Sequence, residues 1–370
     1  MTKLRSSGWS FSKVSRGLRL DSSEPGHYGA VVDGAREPLI SFAGLQALPE
    51  FLAAAAARRV FVIASGSDRN ALRLAAALAS VTVQMFPEAR RHVPAALVER
   101  AERAFDAFQA DTVLSIGGGS ATGLGKALRL SRSFHFIAVP TTYAASELTN
   151  LYGVTSAAGK RTGRDTRVVP DAVLYDVELT LRMPLALSVT SLMNALAHPI
   201  SALSTGKLDA LGSERALAAA RAVYAALEAL LLSPGSPVER RAALEAMVLA
   251  GRVLATSPVG LHHRLAHLLG GQFDLDHAGL HSVLLPHTTL WMQQAAGMAY
   301  DTLCARLGVA RAALPARFSG WLSRARAATS LSELGVDQSA LVALLASHPE
   351  LPAGLLEGAF AGQLSPEPAR

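Results

Sequence analysis

Cysteine is almost absent from this chain: Cys304 stands alone among 370 residues. One cysteine rules out an internal disulfide framework and suits a reducing compartment. Lysine is nearly as scarce. Lys3, Lys13, Lys126, Lys160 and Lys207 are the only ones, leaving 35 − 5 = 30 arginines among the 35 basic residues. The arginines are scattered, with no basic block interleaved with aromatics, so no nucleic-acid surface is expected despite a formal charge of +6. A basic balance still favours a small anionic substrate or cofactor. Clean membrane-length apolar runs are missing too. The most apolar windows, 216–232 and 242–254, are interrupted by Arg221, Glu228, Glu245 and Arg252, and read as buried helices. The first residues, MTKLRSSGWSFSKVSRGLRL, lack the apolar core of a secretory signal. The expectation is a cytoplasmic protein without membrane or nucleic-acid partners. With 50% hydrophobic and 17% charged residues, it has apolar material for two domains.

Histidine, by contrast, is concentrated. Six of the eleven histidines (His262, His263, His267, His277, His281 and His287) fall in the 29 positions 259–287. His263 and His267 are four apart, which on a helix puts both imidazoles on one face. Gly270-Gly271 is predicted to end that helix, with His277 following a turn at Asp274-Leu275-Asp276. A facing pair plus a third histidine after a turn suits metal binding or acid–base chemistry. The plainer alternative is a set of core and helix-end histidines with satisfied hydrogen bonds.

Periodicity divides the chain. Residues 1–25 read as a loose extension, 26–184 as a domain of alternating strands and helices and 185–370 as an all-helical domain. The run Val60-Phe61-Val62-Ile63-Ala64 looks like a strand buried on both faces. Helices are predicted at 45–57, 70–79, 94–109 and 124–130, and strands at 81–86, 112–116 and 134–139. Alternation of this kind predicts an α/β fold with a doubly wound, mostly parallel sheet, Rossmann-like in plan. The site is expected in the cleft between the two domains.

Two loops follow adjacent predicted strands. Gly117-Gly118-Gly119-Ser120 is a strand-to-helix turn whose backbone N–H groups can cradle a pyrophosphate. Its spacing matches neither GxGxxG nor a P-loop. After the next strand, Pro140-Thr141-Thr142-Tyr143-Ala144-Ala145-Ser146-Glu147 brings hydroxyls to the carboxyl end of the sheet, where open α/β folds bind ligands. Asn194 and His198, four apart, can face the histidine pair. Asn, His, His and His form a weak ligand set, because Asn brings no charge to offset a divalent cation.

Five stretches occur in a familiar order: GGGSATGLGKA, VPTTYAASELT, GKRTGRDTRVVP, SLMNALAH and GLHHRLAHLLGGQFDLDHAGLHSVLLPH. In that order the chain resembles the iron-containing alcohol dehydrogenase superfamily over about residues 30–300, and in detail its maleylacetate reductase branch. The resemblance implies a Rossmann-like domain binding NADH or NADPH, an all-helical second domain of dehydroquinate-synthase-like architecture, and a homodimer. It implies reduction of a small unsaturated oxo-acid, typically maleylacetate to 3-oxoadipate. Carried over, Gly118, Gly119 and Ser120 would hold the pyrophosphate. Thr141, Thr142 and Ser146 would line the nicotinamide and phosphate side, and Lys160 would reach the ribose. The metal ligands of metal-dependent relatives fall on Asn194, His198, His263 and His277, with His267 beside the nicotinamide. Asn in place of Asp at 194 leads us to expect that a divalent metal (iron, zinc or manganese) is not obligatory.

His263 or His267 would then donate a proton, ideally from an imidazole titrating near neutrality, with His198 and His277 shaping charge. Arg161 and Arg164 are candidates for pairing substrate carboxylates, together with Asn194 as a substrate contact. The chain departs from the family at Ile40-Ser41-Phe42-Ala43-Gly44, at Pro199-Ile200 and at Asn150. These departures keep open a biosynthetic tailoring enzyme acting on another oxo-acid or alcohol, a non-redox cyclase or lyase, and a nucleotide-binding pseudoenzyme.

Overall fold

A computed structural model describes residues 30–32, 35–65, 74, 76–157 and 159–364. The extension 1–25, Gly66-Ser67 and half of the helix expected at 70–79 lie outside these residues. Ten short strands are described. β1 (Ala30–Val32) and β2 (Ala35–Glu37) make an antiparallel hairpin. β3 (Leu39–Ser41), β4 (Arg59–Ala64), β5 (Thr82–Phe86), β6 (Thr112–Gly117) and β7 (His135–Pro140) follow. β8 (Leu151–Ser156) and β9 (Gly159–Arg164) form a second hairpin, and β10 is Ala172–Leu174. Six of them build one parallel sheet in the order β3-β10-β7-β6-β4-β5.

The unbroken apolar strands are explained by helices on both faces of this sheet. Val60 and Val62 of β4 join Leu114, Ile116, Ile137 and Val139 in a core with helix α1 (Leu48–Ala54). Phe61 and Ile63 point the other way, into a core with α2 (Ala95–Phe108) and α3 (Gly119–Arg129). The chain leaves β4 for β5 on one side and returns to β6 on the other. The sheet therefore has a topological switch point between β4 and β6, the usual ligand crevice of such folds.

From Val177 onward the described chain is helical. α4 (Val177–Leu181) leads into α5 (Leu185–Leu203), around which α6 (Ala210–Leu232), α7 (Pro237–Thr256), α8 (Leu261–Phe273) and α9 (His277–Ala295) pack. α5 has the length and mean hydropathy (1.2) of a membrane span, but 83% of that window is buried inside the protein, as befits a central core helix. α10 (Gly297–Leu307), α11 (Leu314–Ala325), α12 (Gln338–Ser347) and α13 (Ala353–Ala361) complete the set.

Three local expectations are corrected. Gly270-Gly271 does not end its helix, which continues to Phe273 and stops at Asp274 in the left-handed conformation (φ 50). Packing outweighs the ~1 kcal/mol helix penalty of glycine: a Cβ on Gly270 would already touch Leu280 at 3.4 Å. The helix expected at 124–130 starts earlier, at Gly119, because the glycine turn leads straight into it. The β8–β9 hairpin was not foreseen, since its half-exposed, polar strands carry no clean apolar alternation.

Asp171 fastens the sheet's edge. It accepts from Arg36 and Arg129 and from the Phe136 amide, all with little solvent access. Asp171→Ala removes the carboxylate that pairs with Arg129, which is 6% exposed. We expect a loss of ~3–5 kcal/mol in urea unfolding; a loss under 1 kcal/mol would show the cluster to be dispensable.

Candidate active site

The glycine turn lies at the switch point. Gly117 ends β6 with φ +148, where a Cβ would meet Ala121 Cβ at 3.0 Å and Ser65 Oγ, at the end of β4, at 3.3 Å. Gly118 is the N-cap of α3 and offers no side chain to the first helical N–H groups. Those donors stay open, and the dipole there favours an anion. A Cβ on Gly118 would press on Thr142 at 3.1 Å, whereas over Gly119 there is open space. The residues present therefore fit a pyrophosphate: close backbone approach at Gly118-Gly119, with the Ser120 hydroxyl in the first helical turn.

The loop after β7 lies alongside, because Gly117 pairs with Pro140 in register and the Thr141 amide donates to the Gly117 carbonyl at 2.9 Å. Thr141, Thr142 and Ser146 are half-buried. Tyr143, Ala145 and Leu148 point instead into the helical core. This loop ties the sheet to the helices: the Tyr143 amide donates to Ser191 Oγ at 2.9 Å, and buried Arg240 bonds Tyr143 Oη, Ser188 Oγ and the carbonyls of Met183 and Pro234.

Against the loop stands the histidine cluster, from α5, α8 and α9. His198 Nδ1 lies 2.8 Å from His263 Nε2, and His262 Nε2 lies 2.9 Å from His281 Nδ1. His262 Nδ1 also meets Thr288 Oγ1 at 2.8 Å. His281 and His277, four apart on α9, have ring centres 4.3 Å apart, and His277 stacks with His267 at 6.4 Å. Five of the six clustered histidines thus join His198 in one network. His287 turns towards Gly358 instead. His263 is buried while His267, one turn on, opens to solvent, so the pair spans the depth of the site.

Burial keeps these imidazoles neutral. It pushes His198 down to about 4, although the Ala144 carbonyl beside it pulls the other way. His262 falls to about 3, and His263 and His281 lie well below their usual range, each also repelled by neighbouring histidines. His277 is lowered by burial of its ring and by His267 and Lys160, and His267 by partial burial and Lys160. The expectation of an imidazole titrating near neutrality is not met in the buried part of the cluster. Six rings packed together offer one another no counter-charge.

The same packing fits a divalent cation poorly. His263 spends Nε2 on His198, leaving Nδ1 orphaned, and Asn194 Oδ1, 98% buried with its residue, is also without a partner. Among the described residues no three His, Cys, Asp or Glu side chains are arranged to hold a metal. The donor set brings no negative charge.

The cations lie elsewhere than expected. Lys160 on β9 is close enough to depress His92, His267 and His277, so it faces the histidines. Arg161, the next residue on the strand, leaves from the opposite face of the hairpin. Arg164 bonds Asn150 Oδ1 and the Ala255 carbonyl and is engaged in holding the hairpin to α7. The structure brings neither arginine to the cluster. Sequence reasoning passed over His262 and His281 as site residues, although the 277/281 spacing signalled a shared face. It missed His92, on the loop before α2, which lies 3.1 Å from Asp274 across the cleft and has no sequence signal.

The fold is an α/β sheet domain with a glycine turn at its switch point, joined to a helical bundle whose imidazoles lie against the loop after β7. Sequence comparison makes this specific. Residues 40–177 match the model of the iron-containing alcohol dehydrogenase family and 188–350 match that of its C-terminal part. The chain is 39% identical over 310 residues to the maleylacetate reductase of Burkholderia cepacia, covering 83% of this chain and 88% of that one. It is 39% identical to that of Rhizobium sp. strain MTP-10005 over 76% of this chain and 80% of that one. The crystal structure of maleylacetate reductase from Agrobacterium tumefaciens matches with a TM-score of 0.80 at 34% identity, covering 92% of this chain and 100% of that one. The chain belongs to the iron-containing alcohol dehydrogenase family, whose members make it an NAD(P)H-dependent oxidoreductase.

The charge argument at residue 194 can be tested directly. Asn194→Asp supplies the missing carboxylate, and we expect calorimetry to show micromolar Zn²⁺ binding in the variant and none in the chelator-stripped parent. Stoichiometric metal uptake by the parent would refute it.

Proposed function

We propose that the chain reduces maleylacetate, or a similar small unsaturated oxo-acid, to the saturated 3-oxoadipate-type product, with a histidine as proton donor. The observation that carries this reading is the neutral imidazole cluster, with an amide at residue 194, lying across from the glycine turn. It supplies N–H donors and a proton path without needing a bound metal. The similarity to maleylacetate reductases over some four-fifths of the chain supports the substrate class.

Bound NAD(P)H, held at Gly118, Gly119 and Ser120 and bordered by Thr141, Thr142 and Ser146, supplies the hydride that adds to the alkene carbon β to the ketone. Lys160 attracts one carboxylate of the dianion to the mouth of the site. The neutral His198–His263 pair shares one hydrogen bond and so keeps one outward ring N–H; that N–H, with Asn194, would donate to the keto oxygen as its electron density rises. The α carbon then takes a proton from His267, which opens to solvent one turn beyond buried His263 on α8. A dianion beside His267 raises its proton affinity, offsetting the depression caused by Lys160. His277 stacks on it and fixes its ring. The products are the saturated acid and oxidised cofactor. In this reading the enzyme is cytoplasmic and homodimeric, and binds neither nucleic acid nor membrane.

Absorbance at the reduced-nicotinamide band, with maleylacetate added to chelator-treated protein, tests the reading. Cofactor oxidation without added metal is expected. Cofactor binding without any oxidation would move the assignment to another oxo-acid, to a lyase or to a pseudoenzyme. His267→Asn should lower kcat by ~10²–10⁴ with NADH affinity within threefold of the parent; an unchanged kcat would exclude His267 as the donor. A Cβ on Gly119 meets no protein atom within 4 Å, so Gly119→Val should leave the protein folded and raise the cofactor KM at least tenfold. An unchanged KM would remove the pyrophosphate from this turn.

A further inference from the structure

Among the buried charged groups that the proposed reaction does not use, Lys126 stands beside the cofactor loop. Lys126 on α3 is 1% exposed. Its Nζ donates to the carbonyls of Ser146 at 2.5 Å, Thr149 at 2.7 Å and Leu151 at 2.9 Å, and to Thr149 Oγ1 at 3.1 Å. Burial pushes the amine down to about 7, and the charge of Glu147 opposes this. Three carbonyls accept only, and three N–H donors are available only from the ammonium form. Glu147, also buried, takes the hydroxyl of Tyr175 at 2.7 Å.

A charge buried in this way is a poor stabiliser, since an apolar side chain of the same size often serves as well or better. What an ammonium does, and a methyl group cannot, is hold three separate backbone points around one atom. Two of those points belong to the loop carrying Thr141, Thr142 and Ser146. The third is the first residue of β8, whose hairpin partner β9 carries Lys160. The loop also needs holding: Ala145 is left-handed (φ 59) immediately before Ser146, a conformation that crowds a Cβ against the backbone. The helix that supplies the lysine begins at the glycine turn, so one atom links all three walls of the cofactor crevice.

We infer that Lys126 is a positioning residue for the nicotinamide cofactor: its ammonium sets the 141–149 loop and the β8–β9 hairpin at a fixed distance from the glycine-turn helix, so that the cofactor meets a preformed wall. The inference rests on the cofactor reading given under Proposed function. Preformed walls lower the ordering cost of binding, so the effect falls on affinity more than on the chemical step.

The test is NADH binding by fluorescence, with steady-state kinetics, on the full-length protein. Lys126→Met should raise Kd and KM for NADH at least tenfold, with kcat at saturating cofactor within threefold of the parent. Thr149→Val removes one acceptor and leaves the carbonyls in place, and should raise both about threefold. A merely structural lysine would instead lower the melting temperature and the active fraction, reducing kcat with KM unchanged. That result, or an unchanged Kd in a folded variant, overturns the inference. If Lys126→Met does not fold, Thr149→Val decides by the same split. A parent protein that binds neither NADH nor NADPH would overturn the cofactor reading itself, and the inference with it.

Discussion

An irregular loop buried between a sheet and a helical bundle must find partners for its own backbone, and this constraint governs the molecule. Residues 141–150 have no strand ladder to use, and unpaired amides or carbonyls there would each cost ~1–3 kcal/mol. Their partners come from three directions: Gly117 at the end of β6, Ser191 on α5 and Lys126 on α3. Apolar residues of the same loop, Tyr143, Ala145 and Leu148, enter the helical core. The loop is thus fixed by both halves of the chain at once. Whatever sits on its polar side is held in register with whatever sits on the helices, including His198 beside the Ala144 carbonyl.

The histidine cluster follows from the same closeness. α5, α8 and α9 approach near enough for imidazoles from each to share hydrogen bonds, and the rings exclude water from one another. In such surroundings the charged form is disfavoured twice, by desolvation and by like charge. Inner histidines that cannot hold a second ring proton at neutral pH can serve as fixed donors, not as acids. In the proposed reaction the acid is His267, at the edge, where solvent and Lys160 meet, and depth within the cluster would then sort one residue type into two roles.

Much of this was legible in the sequence because it depends on period and punctuation. Val60 to Ala64 announced a strand covered on both faces, and Gly117-Gly118-Gly119 announced the strand-to-helix turn. The helical second half was readable from spacing alone. What stayed hidden was set by tertiary distances. Gly270-Gly271 looks like a stop and is a contact surface for Leu280, because helix packing outweighs a weak local preference. Arg161 and Lys160 are neighbours in sequence yet leave opposite faces of a hairpin that the pattern did not reveal. His262 lies one residue from His263, which on an isolated helix is the wrong face; a crowded junction of three helices makes both faces internal. The family resemblance pointed to four positions, and the structure shows the cluster to be wider.

Asn194 brings these strands of argument together. A carboxylate there, enclosed by α5 and the loop, would need a cation to offset it, and the neutral imidazoles around it supply none unless they are protonated against their burial. An amide removes that demand. It also removes the charge that would draw a divalent metal into the site, leaving Lys160 at the mouth as the principal electrostatic feature. The net field of the site then favours anions. In the proposed reaction a dianionic acid entering past Lys160 would bring the negative charge that the protein itself lacks, and so would raise the proton affinity of the imidazole beside it at the edge. On that proposal the substrate would complete the acid that protonates it, which would tie activity to substrate charge.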